Sequence, residues 1–183
     1  MRSKGDERPR AAGIRAIEIV VSVTIACLLA LIAVPGLIRV HIANNEAAAM
    51  RVLREINLGE ARYASICGSG GYTRNIEDLA KPPAGGGQPF ISPQLGANGA
   101  VQHGYVFSIT ASDAPGLTTL GTAAATCNGS EAAPVSAYYA SADPVTVGAT
   151  GARHFATDQR GAIYADLSNL PNPIPGRVPA VQQ

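Results

Sequence analysis

The feature that most constrains this chain is an uncharged apolar run near its beginning. Residues Ile19–Ile38 contain no charged side chain, and the only interruptions of the run are Ser22, Thr24, Pro35 and Gly36. As a helix, these positions would span about 30 Å, which matches one hydrocarbon thickness of a bilayer. The sequence therefore predicts a transmembrane or assembly half of a helix over residues 14–38.

A short basic segment precedes this run. Residues 1–13 carry four basic side chains and two acidic ones, which gives a side-chain charge of +2 (4 − 2). The positive-inside rule then keeps the N-terminus cytoplasmic and exports everything after Ile38. This pattern predicts a chain that crosses a membrane once, with its C-terminus outside.

Three ordinary alternatives apply to the same run. A cleaved secretory signal ending at Ala33 would place Leu31 at −3, where a small residue is expected, and Glu18 would interrupt its apolar region. A lipoprotein signal would use Cys27, with Thr24 in place of the usual Leu. A plain single-pass anchor fits the hydropathy but leaves Glu18 unexplained, because a carboxylate beside an apolar run needs a partner.

Two partners are available to Glu18. Arg15 lies three residues earlier and could pair with it on the same helix face. Alternatively, cleavage after Gly13 would create a free α-amine at Ile14, and the amine of a neighbouring subunit could neutralise Glu18. The first alternative is a local structural explanation, whereas the second is a mechanism of assembly.

Residues 13–18, together with the apolar run, resemble the type IV prepilin motif, which a related family, the pseudopilins of type II secretion, shares. The resemblance implies that a prepilin peptidase cleaves between Gly13 and Ile14 and that Ile14 is N-methylated. It also implies that Glu18 pairs with the terminal amine of another subunit and that Pro35 kinks the helix. The chain departs from the usual motif at three positions, where it has Ile14, Arg15 and Ala16.

The resemblance implies a structural role and no enzymatic activity. The expected function is that of a type IV pilus subunit for adhesion, motility or DNA uptake. The alternatives are a pseudopilin of a type II secretion system and a monomeric, membrane-anchored binding domain. The implied partners are further copies or related pilins in a helical filament, the prepilin peptidase and an inner-membrane assembly platform. The resemblance also implies a precursor in the bacterial inner membrane and a mature protein in an extracellular pilus or a periplasmic pseudopilus.

The predicted fold is α+β and pilin-like, with one long N-terminal helix packed on an antiparallel sheet of three or four strands. Residues Val40–Ala64 favour helix and carry apolar side chains at helical spacing, so the helix should continue beyond the apolar run as an amphipathic half. Residues 39–168 should form the globular head, and residues 169–183 a Pro-rich, disordered tail. The predicted strands are Tyr105–Thr110, Ala137–Ala142, Arg153–Thr157 and Ala162–Asp166.

The three cysteines differ in setting. Cys27 lies in the apolar run and is expected to behave as a small buried hydrophobe. Cys67 and Cys127 lie in the polar remainder, so export would favour a disulfide between them, with two free thiols as the alternative.

No pattern in the chain predicts a cofactor or a metal. His41, His103 and His154 are isolated in sequence, and no metal, phosphate or nucleophile motif occurs. Three carboxylates near the predicted sheet could supply oxygen ligands to calcium but lack the spacing of a calcium loop. They are Asp143, Asp158 and Asp166. The nearly balanced charge gives no polybasic field, so nucleic acid is not expected as a partner.

Overall fold

The computed structural model describes residues 10–181, and it describes side chains at 15–29 and 36–181. The chain divides into two compact units, Met1–Val40 and His41–Gln183. Two α-helices, two short 3-10 helices and five strands are present among these residues; they are α1 Arg10–Ile66, α2 Ile76–Ala80, the 3-10 helices Pro93–Leu95 and Ala123–Ala125, β1 Ala100–Gln102, β2 Tyr105–Ala111, β3 Tyr138–Pro144, β4 His154–Asp158 and β5 Ile163–Asp166.

The first unit contains the beginning of α1, and here the sequence-based prediction needs correction. Within the described residues, no helix combines the length and the apolarity that crossing a bilayer requires. The predicted membrane half over 14–38 is therefore wrong, and so is the single-pass inner-membrane localisation derived from it.

In the second unit, α1 presents an apolar stripe to the core. Its fully or nearly fully buried side chains recur at intervals of three, four or seven residues, as one face of a helix requires; they are Ala49, Val52, Leu53, Ile56 and Tyr63. They form one cluster with side chains of the sheet, including Phe107 and Phe155. This stripe fixes which side of the helix faces the sheet.

The end of α1 depends on glycine. The backbone N–H groups of Cys67 and Gly68 both donate to the carbonyl of Tyr63, at 2.8 and 2.7 Å, and close the last turn. A Cβ atom on Gly68 would lie 2.3 Å from the carbonyl oxygen of Gly71 and 2.6 Å from the Tyr63 ring. Only glycine therefore fits at this position.

The sheet is a simple antiparallel meander in the order β1-β2-β3-β4-β5. Tyr105, Phe107 and Ile109 of β2 alternate with less buried residues, so one face of the sheet is the core face. Register is set by pairs such as Phe107 with Ala142 and Ala142 with Phe155.

The predicted fold class is also wrong in its strand count, because the sheet has five strands instead of three or four. The strand missing from the prediction is β1, which is three residues long and pairs with β2 through the turn at His103 and Gly104. Both turn residues have positive φ, 48° and 73°, which matches a tight hairpin turn. Three residues are too few for an alternating pattern to be recognised.

The C-terminal segment is ordered over its described part, contrary to the predicted disordered tail at 169–183. Leu170 and Ile174 form a second apolar cluster with Ala156 and Tyr164 on the outer face of the sheet. The Tyr139 hydroxyl donates to the carbonyl of Leu170 at 2.6 Å. The prolines of this segment therefore do not prevent it from packing on the sheet. Residues 182–183 lie outside the described part.

Candidate assembly site

The most unusual surface of the molecule is the part of α1 that precedes His41. Every side chain described there is exposed, at 15–29 and at 36–40. Eleven of these are large and apolar; they are Ile17, Ile19, Val20, Val21, Val23, Ile25, Leu28, Leu29, Leu37, Ile38 and Val40. Because successive helix residues point about 100° apart, consecutive members such as Ile19, Val20 and Val21 cover all sides of the helix. We call residues 14–38 the assembly segment.

Polar groups inside the assembly segment are few. The Thr24 hydroxyl donates to the carbonyl of Val20 in the preceding turn, at 2.8 Å. This bond satisfies the hydroxyl within the helix itself, as is common for threonine in apolar surroundings. The Thr24 hydroxyl therefore needs no hydrogen-bond partner from a chain that packs against the segment.

Glu18 is exposed near the beginning of the segment, and so is Arg15. Five ion pairs form among the described residues, and none includes either side chain. The sequence-based alternative in which Arg15 neutralises Glu18 within one chain is therefore not the arrangement found.

The other residues of the prepilin motif are only partly described. Gly13 and Ile14 belong to the backbone of α1, but side chains up to residue 14 lie outside the described part. The leader residues 1–9 lie outside it altogether. Pro35 also belongs to the helix, and its side chain falls in the undescribed stretch 30–35. The cleavage, methylation and kink assignments therefore stay predictions.

Two polar side chains, Glu46 and Asn45, tie the first turns of α1 in the second unit to the loop between β3 and β4. The Glu46 carboxylate is 7% exposed. It accepts from Arg153 Nη2 at 2.7 Å and from the backbone N–H of Ala152 at 3.0 Å. Asn45 donates to the carbonyl of Thr150 at 2.9 Å. Nothing in the sequence near Glu46 signals this arrangement, because its partners lie more than 100 residues away.

A second buried carboxyl lies nearer the end of α1. Glu60 is fully buried. Desolvation by burial raises the pKa of Glu60 from 4.5 to about 8, against the lowering effect of hydrogen bonds from Thr73, and Asp78 raises it further. Both carboxyls lie on the stretch of α1 that faces the core, so they serve the fold of the head and do not extend the assembly segment.

The predicted disulfide is confirmed: Cys67 and Cys127 are bonded, whereas Cys27 is free and exposed. The bridge links the end of α1 to the segment before β3. Next to it, the Asn128 amide donates to the carbonyl of Asp78 at 2.7 Å. The Asn128 side chain thus has a structural role, and the bridge closes a loop of 60 residues around α2 and the first strands.

The carboxylates considered for calcium serve other contacts. Asp143 Oδ1 lies 2.7 Å from His154 Nδ1, and Asp158 forms an ion pair with Arg160 at 2.7 Å. Asp166 accepts from the backbone and the hydroxyl of Ser168, and these bonds lower the pKa of Asp166. Within the described residues, no group of three or more such side chains is placed to hold a metal ion.

The second half of α1 also borders a shallow groove of about 570 Å³, lined by Arg51, Arg54, Glu55, Leu58 and Arg62. Two of these residues hold the adjacent loop. Glu55 accepts from the backbone N–H of Ser92 at 2.7 Å, and Arg62 donates to the carbonyl of Phe90. The groove is thus a by-product of how this loop is fastened to the helix.

Comparison of the chain with protein-family models, with curated proteins and with solved structures returns no match.

Proposed function

We propose that the protein is a structural subunit of a type IV pilus, built into a helical filament through the assembly segment after a prepilin peptidase removes residues 1–13. The observation that carries this proposal is the exposed, apolar surface on all sides of α1 before His41, with Glu18 as its one carboxylate. The match of Gly13, Glu18 and the apolar run to the prepilin motif supports it.

Hydrophobic burial supplies the driving force. A large aliphatic side chain contributes roughly 1.5–3 kcal/mol when it is fully buried. Even at the lower value, eleven such side chains contribute roughly 16 kcal/mol, which is comparable with the 4–15 kcal/mol that association costs in lost freedom. A helix that is apolar all round buries this surface fully only when it has neighbours on several sides.

Glu18 gives the association a register. A carboxylate carried into an apolar bundle costs several kcal/mol unless a cation meets it. Cleavage after Gly13 would free the amine of Ile14, four residues before Glu18, and a neighbour shifted along the helix axis could bring its own amine to the carboxylate. Helices in any other axial alignment would leave the charge unpaired.

The same contact explains why the assembly would be a filament. The amine and the carboxylate are different groups on one surface, so the contact between two copies is heterologous. Each copy that uses its amine in one contact still has its carboxylate free to bind another copy. Repetition of such a contact without closure gives a helix of subunits. A pseudopilus of a type II secretion system would use the same chemistry.

The proposal is tested by Glu18→Ala and Gly13→Val, each produced as the full chain together with a prepilin peptidase. Both variants should lose filaments in electron micrographs and in sedimented material, while the head keeps its disulfide and its thermal transition. Glu131→Ala, which removes an exposed carboxylate of the head, is the matched control and should assemble normally. Normal filaments from both assembly variants would refute the proposal.

A second comparison separates the two classes of filament. Production of filaments without any secretion genes supports a pilus, whereas filaments that form only together with type II secretion components support a pseudopilus.

A further inference from the structure

The charges of the assembly segment form a matched set. Between residues 14 and 38 the only charged side chains are Arg15 and Glu18, one of each sign. Both are exposed, and neither takes part in an ion pair within the described part of the chain. Burial of the segment in a bundle would therefore place both charged side chains of every copy in apolar surroundings, where each needs a partner.

Pairing the two within one helix is the poorer solution. For side chains one turn apart, an acidic residue preceding a basic one is the favourable order, and here Arg15 precedes Glu18. Pairing between copies avoids this order and lets the guanidinium meet the carboxylate in a two-pronged contact.

We propose that Arg15 of each copy forms an ion pair with Glu18 of the next copy, so that a side-chain pair joins the Ile14 amine in setting the register of the filament. This inference rests on the proposed function. Every copy then donates through Arg15 on one side and accepts through Glu18 on the other, so both charged side chains of the segment are paired. For parallel helices, three residues correspond to an axial shift of about 4.5 Å between paired copies.

Charge reversal tests the pairing. Arg15→Glu and Glu18→Arg each place two like charges at the contact, and each should lower the polymer yield by about tenfold or more, the equivalent of 1.4 kcal/mol per contact. The double variant Arg15→Glu/Glu18→Arg restores opposite charges and should recover most of the yield. Asp113→Arg, a charge reversal on the exposed surface of the head, is the matched control and should assemble like the natural chain.

Polymer yield is measured by sedimentation and electron microscopy of the full chain. It is expressed per mature chain, and mass spectrometry of the N-terminus identifies the mature chains. A change in processing is then not mistaken for a change in assembly. Assembly of Arg15→Glu at the natural level, or a double variant no better than the single ones, overturns the Arg15 pairing. If Glu18→Ala still abolishes filaments in that case, the proposed function stands without this inference. Absence of polymer from the natural chain overturns both.

Discussion

The hydroxyl oxygen of Thr73 lies 2.6 Å from Oε1 of the fully buried Glu60. The same hydroxyl lies 3.0 Å from the carbonyl oxygen of Asn75, which can only accept. Thr73 has one hydroxyl proton, and donating it to Asn75 leaves the short contact with Glu60 in need of a second proton. A protonated Glu60 supplies that proton and, through Oε2, accepts from the backbone N–H of Thr73 at 2.9 Å.

The pKa of Glu60, raised to about 8 from 4.5, predicts a pH dependence of stability. The folded state holds this proton more tightly than the unfolded state, so the contribution is fully present below pH 4.5 and is lost as pH rises to about 8. The free energy of unfolding should fall by up to roughly 1.4 kcal/mol per pH unit in this window. Urea unfolding at several pH values measures the slope.

Glu60→Gln keeps the shape and an acceptor for Thr73 but cannot ionise, so its stability should be nearly flat over the same window. Asp113→Asn, on an exposed carboxylate, is the control and should retain the slope of the natural chain. Equal slopes in the natural chain and in Glu60→Gln would show that Glu60 is not the titrating group.

Loss of the Cys67–Cys127 bridge should destabilise the head. The bridge closes a loop of 60 residues, and removing such a constraint typically costs 2–5 kcal/mol. Cys67→Ser/Cys127→Ser should therefore unfold at markedly lower urea concentration than the natural chain. Cys27→Ser, which removes the free cysteine, should have no such effect, and a reducing agent should shift the natural chain but not the double variant.

Gly59 lies where α1 packs tightly against the loop before the first 3-10 helix. A Cβ atom there would lie 2.7 Å from Cγ2 of Ile91 and 2.9 Å from the carbonyl oxygen of Phe90. Gly59→Ala should cost about 1–3 kcal/mol through this overlap, in spite of the better helix propensity of alanine. Gly85→Ala, where a Cβ would meet nothing within 4 Å, should be nearly neutral in the same thermal unfolding assay.

The Glu46–Arg153 pair should show strong coupling. Arg153→Met leaves the Glu46 carboxylate buried without its counter-charge and should cost about 2 kcal/mol or more. Adding Glu46→Gln should cost less in the Arg153→Met background than in the natural chain, because there it removes a buried charge that has already lost its partner. A double-mutant cycle by urea unfolding measures this coupling, and strictly additive effects would argue against the pair.

The sequence is sufficient to predict those elements whose structure depends on residues close together in the chain. Asn75 is a residue type that favours helix N-caps, and it directly precedes the short helix α2, where its side chain accepts from the backbone N–H of Asp78 at 2.8 Å. Four of the strands lie at the segments predicted as strands. Both features arise from patterns a few residues long, which a single sequence displays directly.

Features that depend on distant partners could not be predicted in the same way. No local pattern marks Glu46 or Glu60 as buried, yet both are buried because Arg153 and Thr73 bind their carboxyl groups in the fold. The strand β1 depends on a hairpin turn at His103, and the packing of the segment around Leu170 depends on an apolar patch of the outer sheet face. The hydropathy of residues 14–38 predicts a membrane half of α1, and the described residues do not support it.

The measurement that tests the central claim most directly is the mass of the N-terminus of the protein isolated from cells. Assembly through the segment that begins at Ile14 predicts a chain lacking its first 13 residues, with a methyl group on the amine of Ile14, recovered in filaments. A chain that retains Met1 and sediments only as a monomer would contradict the account.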